Sequence, residues 1–148
     1  GTSPAVVAAL RHLNAKRLAI VTPYPDWNNE RLRKYMLAMG FEVELLEGNT
    51  EGLADEYRGN QGVNNQPPHD VAAFAIEQVG RLESKYVDAV FCSCTAWRAM
   101  EAAESIEAAC GLPVVTSNQA TIWASLRELG VTRSPIVGFG GLLSEHLV

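Results

Sequence analysis

The chain has 148 residues, 47% of them hydrophobic and 20% charged, and carries a formal net charge of -5. That length is about one domain, and the composition is ordinary for a globular chain. A mildly acidic chain without a basic run is a poor match to nucleic acid, and no apolar stretch approaches the ~20 residues a membrane span needs. Three cysteines, Cys92, Cys94 and Cys110, make no even disulfide framework, so a reducing cytoplasm is the expected compartment. The start, Gly1-Thr-Ser-Pro4, is not a signal peptide. It also lacks Met, so the chain is expected to be a fragment or a processed product.

Apolar spacing at Val6, Val7, Leu10 and Leu13 predicts a helix over 4–14, with Ser3 as its cap and Pro4 in its first turn. Residues 17–21 read as a short buried strand, and Thr22-Pro-Tyr-Pro-Asp26 as a loop. A second helix is expected over 27–39, ended by Gly40, followed by a strand over 41–46. Residues 47–68 form a long polar connection, of a length that is usually functional or mobile. Helix resumes near His69 or Asp70, the latter a candidate cap, and runs to about Ser84. A third strand over 86–93 leads into a helix over 95–109. A fourth strand over 112–116 leads into a helix over 119–129, stopped by Gly130. Apolar strands alternating with amphipathic helices imply an α/β fold, a doubly wound four-stranded parallel sheet of flavodoxin type with order 2-1-3-4. The organisation is one domain over 1–148: a leading helix over 1–16, a core over 17–130, and a tail over 131–148 that is free to pack outside the core.

Ligands of such sheets bind beyond the carboxyl ends of the strands. That rule collects Thr22, Tyr24, Asp26 and Asn28 from the first loop and Ser93, Cys94 and Thr95 from the third strand. Thr116, Ser117, Asn118 and Gln119 follow the fourth strand. The Asn-rich loop with Asn60, Asn64 and Asn65 should lie beside them. These groups are hydroxyls and amides, suited to a carboxylate held by neutral donors and backbone N–H groups. Cys94 stands where a strand passes directly into a helix-forming run. A thiol at a helix start faces unpaired N–H groups and the positive dipole end, so it ionises more easily. Buried cysteines are more often inert packing; Cys92, deeper on the strand, fits that description, and Cys110, at a helix end where the dipole raises a thiol's pKa, reads as structural. Tyr24 fits packing as well as function, and Thr116-Ser117-Asn118 fits a helix cap as well as a ligand contact. A Cys-x-Cys metal site lacks its further ligands, so no metal is expected.

The ordered set Thr2-Ser3-Pro4, Arg17-Leu-Ala-Ile-Val-Thr-Pro-Tyr24, Asn28-Asn-Glu-Arg-Leu32, Ser93-Cys94-Thr95, Gly111-Leu-Pro-Val-Val-Thr-Ser-Asn118 with Trp123, and Gly138-Phe-Gly-Gly-Leu-Leu143 resembles the aspartate/glutamate racemase superfamily. The branch is that of maleate cis-trans isomerases and arylmalonate decarboxylases. The resemblance implies one half of a two-domain fold, the second half, with the active site between halves. It implies Cys94 as the catalytic cysteine and Tyr24 as the carboxylate-binding tyrosine. Asn64 or Asn65 matches a substrate-binding asparagine; Thr22, Asn28, Thr95 and Ser117, collected by the strand-edge rule, are the further candidate substrate contacts. A second cysteine, from the first half, has no counterpart here. Thr95 after the cysteine is more typical of isomerases and racemases than of decarboxylases, where glycine is usual. The implied activity is cofactor-independent isomerisation of a small dicarboxylate such as maleate. The alternatives are an amino-acid or hydantoin racemase acting on an amino-acid-like substrate, or an arylmalonate-type decarboxylase. A non-catalytic α/β binding module is the alternative of a different class. An exposed face meant for a partner half implies a homo-oligomer or a missing N-terminal half.

Overall fold

The computed structural model describes residues 1–50, 60–83, 86–131 and 133–147. Helix α1 (Thr2–His12) leads into β1 (Arg17–Thr22), α2 (Asp26–Ala38) and β2 (Glu42–Gly48). After them come α3 (Asn60–Asn65), α4 (Pro68–Gly80), β3 (Ala89–Cys92) and α5 (Ala99–Cys110). The chain continues through β4 (Val114–Thr116), α6 (Ser117–Glu128) and the short α7 (Gly141–Ser144). The four strands form one parallel sheet in the order β2-β1-β3-β4, the order expected from the sequence.

Alternation along the strands divides the core into two layers, because successive side chains leave opposite faces of a sheet. Leu18, Ile20, Phe91 and Val115 face a cluster with Val6 and Leu10 of α1, Met36 of α2 and Trp123 of α6. Ala19, Val21, Val90, Cys92 and Val114 face the other cluster, with Val71 and Ala75 of α4 and Ala102 and Ile106 of α5. Burying a Leu, Ile or Val side chain in such a layer contributes roughly 1.5–3 kcal/mol. β1 is central and buried on both faces, whereas β2 is an edge strand whose glutamates reach solvent. Gly40 turns out of α2 at a φ of 91°, a left-handed conformation that suits glycine.

Several boundaries differ from the sequence reading. α1 starts at Thr2, so Ser3 lies inside its first turn and makes no cap. Pro67 precedes α4 as its N-cap, and Asp70 sits in the first turn, where its charge complements the dipole without capping. The long connection holds a helix, α3, pinned by the fully buried Val63. The middle of that connection, 51–59, and the expected helix end at Ser84 lie outside the described residues. Leu142, Leu143 and Leu147 are buried in the α1–α6 layer, so this part of the tail packs inside the core and not outside it. Among the described residues, no helix is long and apolar enough to cross a membrane.

Candidate active site

The carboxyl ends of β1, β3 and β4 lie level, since Val21 pairs with Cys92 and Cys92 with Thr116. Each strand therefore delivers its next residue to one edge: Thr22, Ser93 and Ser117. The first loop is held from inside. The fully buried Thr22 hydroxyl donates to Asn29 Oδ1 at 2.7 Å and accepts the Tyr24 N–H at 3.0 Å. Asn29 Nδ2 donates back to the Tyr24 carbonyl at 3.2 Å. These three bonds fix the backbone of Tyr24 and leave its phenol 3.5 Å from Ser93 Oγ, across the mouth of the sheet. Gly48 at the end of β2 completes the fit, because a Cβ there would collide with the Tyr24 carbonyl and come within 2.8 Å of Asn29 Nδ2.

The chain after β3 does not enter a helix at once. Residues 95–98 form a turn, the Trp97 N–H donates to the Cys94 carbonyl at 3.4 Å, and α5 begins only at Ala99. The expectation of a helix starting directly after Cys94 is thus corrected: the fully desolvated Trp97 ring, bonded through Nε1 to Gln66 Oε1 at 2.6 Å, draws this stretch into the core as a turn. The helix start next to Cys94 is that of α6. Ser117 is its first residue, and Ser117 Oγ accepts the Cys94 N–H at 3.1 Å. Asn118 Nδ2 donates to the Thr95 carbonyl at 3.0 Å. Cys94 itself has a φ of 142°, which L residues rarely adopt. Half-buried Cys94 thus sits on a strained turn at the sheet edge, and strain of this kind gathers at functional sites.

The other thiols differ. Cys92 is fully buried, and desolvation pushes its pKa up to about 12, with Cys110 adding a small repulsive contribution. Cys110 ends α5, and it is burial that pushes its thiol up. Burial thus disfavours the thiolate at both, and the thiolate is the nucleophilic form.

Of the residues singled out by sequence, Cys94, Tyr24, Thr95 and Ser117 meet at this edge. Thr22 stands beneath it with its hydroxyl used internally. Asn28 is half-buried, and its neighbour Asn29 makes the structural bonds. Asn64 and Asn65 are exposed on α3, which Gln66 ties to the Cys94 turn. By sequence, Ser93 and Gln119 are loop members only, and Asn29 and Gln66 have no assigned part. Thr116 and Gln119 form a capping box, a spacing of Thr-x-x-Gln that could have been read directly. A small cavity of about 50 Å³ adjoins Ser93 and Ser117, lined also by Thr2, Ser3, Tyr35 and Phe91. Among the described residues, no three His, Cys, Asp or Glu side chains are grouped to hold a metal ion.

The chain is 35% identical over 142 residues to the maleate isomerase of Pseudomonas putida, covering 95% of this chain and 52% of that protein. It is 30% identical over 144 residues to the arylmalonate decarboxylase of Bordetella bronchiseptica, covering 97% of this chain and 56% of that protein. Its fold superposes with a TM-score of 0.81 and 26% identity on a mutant Nocardia farcinica maleate cis-trans isomerase that holds a covalently bound succinylcysteine intermediate; 97% of this chain and 55% of that one are covered. The chain thus spans about half the length of these relatives. Residues 1–142 match the arylmalonate decarboxylase family throughout, from α1 to α7, and the chain belongs to that family.

Proposed function

We propose that this chain supplies the nucleophilic half of a maleate isomerase-like site, with Cys94 as the reactive thiol. The observation that carries the reading is the placement of Cys94 on a strained turn, at one edge with Ser117 and the Tyr24–Ser93 pair. In this mechanism the Cys94 thiolate adds to one olefinic carbon of maleate. The C–S bond forms, and the π pair moves to the neighbouring carbon, where the adjoining carboxylate delocalises it. Rotation about the new single bond is followed by return of the pair, cleavage of C–S and release of fumarate. Tyr24, Ser93 and the N–H groups at the start of α6 serve as neutral donors to the carboxylates; donors fixed before the reaction stabilise developing charge without reorganising. Thr22 at the end of β1, Asn28 in the first turn of α2, Asn64 and Asn65 at the end of α3, and Thr95 in the turn after Cys94 surround them, of which Thr22 acts from beneath. The related isomerase with a covalently bound succinylcysteine supports cysteine addition as the chemistry of a site of this kind.

A decarboxylase reading is favoured by one observation, the likeness to an arylmalonate decarboxylase. There Cys94 would protonate an enediolate left by loss of CO₂, and no C–S bond would form. Incubation with maleate, followed by digestion and mass spectrometry, separates the two. Isomerase chemistry is expected to leave a succinyl group on Cys94 or to yield fumarate, and neither in Cys94→Ala. CO₂ release from an arylmalonate, with no adduct and no fumarate from maleate, contradicts it.

A further inference from the structure

Gln119 lies in the first turn of α6, fully buried, with its side chain used at both ends. Its Oε1 accepts the Thr116 N–H at 2.8 Å, while the Thr116 hydroxyl accepts the Gln119 N–H at 3.1 Å. Its Nε2 donates to the carbonyl of Phe139, twenty residues downstream. The amide has one workable orientation, because a reversed group would set NH₂ against N–H and oxygen against oxygen. The turn over 138–141 is shaped to this contact. Gly140 has a φ of 88°, and a Cβ there would come within 2.6 Å of Gln119 Nε2. On its other side Glu107 of α5 accepts the Gly141 N–H at 3.0 Å and the Val114 N–H at 3.1 Å, and Glu104 accepts the Gly138 N–H at 3.0 Å. The turn is therefore fastened to α5, β4 and α6 together.

Two of the bonds on the Cys94–Thr95 backbone come from the first turn of α6, through Ser117 Oγ and Asn118 Nδ2. A residue at φ 142° keeps that conformation only while its surroundings over-determine it. We propose that Gln119, locked by the C-terminal turn, is a positioning residue that fixes the first turn of α6 and, through Ser117 and Asn118, holds Cys94 in its strained, thiol-presenting conformation. The inference rests on the reading of Cys94 as the reactive thiol. Gln119 touches no reacting atom and acts only through its neighbours.

The test compares iodoacetamide alkylation of each cysteine, resolved by mass spectrometry, in the unmodified chain, Gln119→Glu and Gly140→Ala. At neutral pH the introduced carboxylate still accepts the Thr116 N–H but sets a second oxygen against the Phe139 carbonyl. Once protonated, the same carboxyl can donate to that carbonyl and replace the amide. Relative to the unmodified chain at the same pH, Cys94 alkylation in Gln119→Glu is expected to fall about threefold at about pH 7.5 and to recover at about pH 5.5. Gly140→Ala drives a methyl against Gln119 Nε2 and displaces the turn from it without introducing a titrating group, so it lowers the rate without that recovery. The buried Cys92 stays unlabelled throughout. Unchanged Cys94 rates in both variants overturn the proposal, as does Cys92 labelling that rises with them, since the substitutions would then merely loosen the fold. If Gln119→Glu does not fold, Gly140→Ala decides alone. Hydrogen exchange at the Cys94 amide reads the positioning apart from the chemistry. Weaker protection in the variants supports it, and unchanged protection overturns it even if the thiol proves inert, an outcome that would sink the nucleophile reading on its own.

Discussion

Backbone conformation, more than a helix dipole, sets Cys94 apart from the other two thiols. Its φ of 142° lifts it out of the line of β3, while Cys92, two residues earlier, stays in the dry layer under α4 and α5. The same edge positions Tyr24 by close approach, and that approach depends on Gly48. Gly48→Ala is expected to destabilise the chain by roughly 1–3 kcal/mol, because the new methyl meets backbone that cannot swing away. It should also weaken maleate binding by displacing Tyr24. Urea unfolding and titration calorimetry check the two effects, and a variant that binds and unfolds like the parent removes Gly48 from the account. Asn29 shows how a residue can be read one place out. Asn28 and Asn29 are equivalent by composition, but Asn29 and Met36 are the buried residues of α2, seven apart and so on one face.

Elements were legible in proportion to how local their causes are. The strand order followed from short apolar strands separated by helices, since parallel strands need right-handed crossovers. The start of α5 was not legible. Thr95-Ala-Trp-Arg98 has ordinary helix-forming character, yet Trp97 is pulled into the core by Gln66, a partner 31 residues away. Pairing across that distance leaves no periodic trace. Trp97→Phe keeps an aromatic six-membered ring but removes the pyrrole ring with its N–H, leaving Gln66 Oε1 without its donor and a small gap in the packing. A loss of roughly 1–2 kcal/mol is expected, with α3 the first segment to lose protection in hydrogen exchange. Uniform loss across all helices would contradict the assignment of Trp97 as the anchor of α3. The meeting of Cys94 with α6 was half legible: the strand-edge rule placed both in one neighbourhood, but the bond from Cys94 N–H to Ser117 required coordinates.

At the scale of the molecule, Asp88 joins the α1–β1 junction to the start of β3. Its Oδ2 accepts the Arg17 N–H at 2.7 Å and the Lys16 N–H at 2.9 Å. The bond from the Arg17 N–H is the largest of the effects that hold its carboxyl below the usual value of 3.8, with the Lys16 N–H and both cationic side chains adding to it. A depressed folded-state pKa stabilises the fold above the unfolded value, and that stabilisation fades as pH falls through the lower folded value. Asp88→Asn should therefore cost about 1 kcal/mol at neutral pH, modest because the site is partly solvated, and the gap from the parent should close as pH falls below the usual carboxylate range. Urea midpoints across pH check this, and a gap that is constant with pH contradicts it. The account as a whole depends on which sulfur reacts. Competitive labelling by iodoacetamide at neutral pH, with and without maleate, measures that directly. Cys94 is expected to label first and to be protected by maleate, with Cys92 and Cys110 slow in both conditions. Earlier labelling of Cys92 or Cys110, or Cys94 labelling that maleate leaves untouched, would contradict a dicarboxylate site built around Cys94.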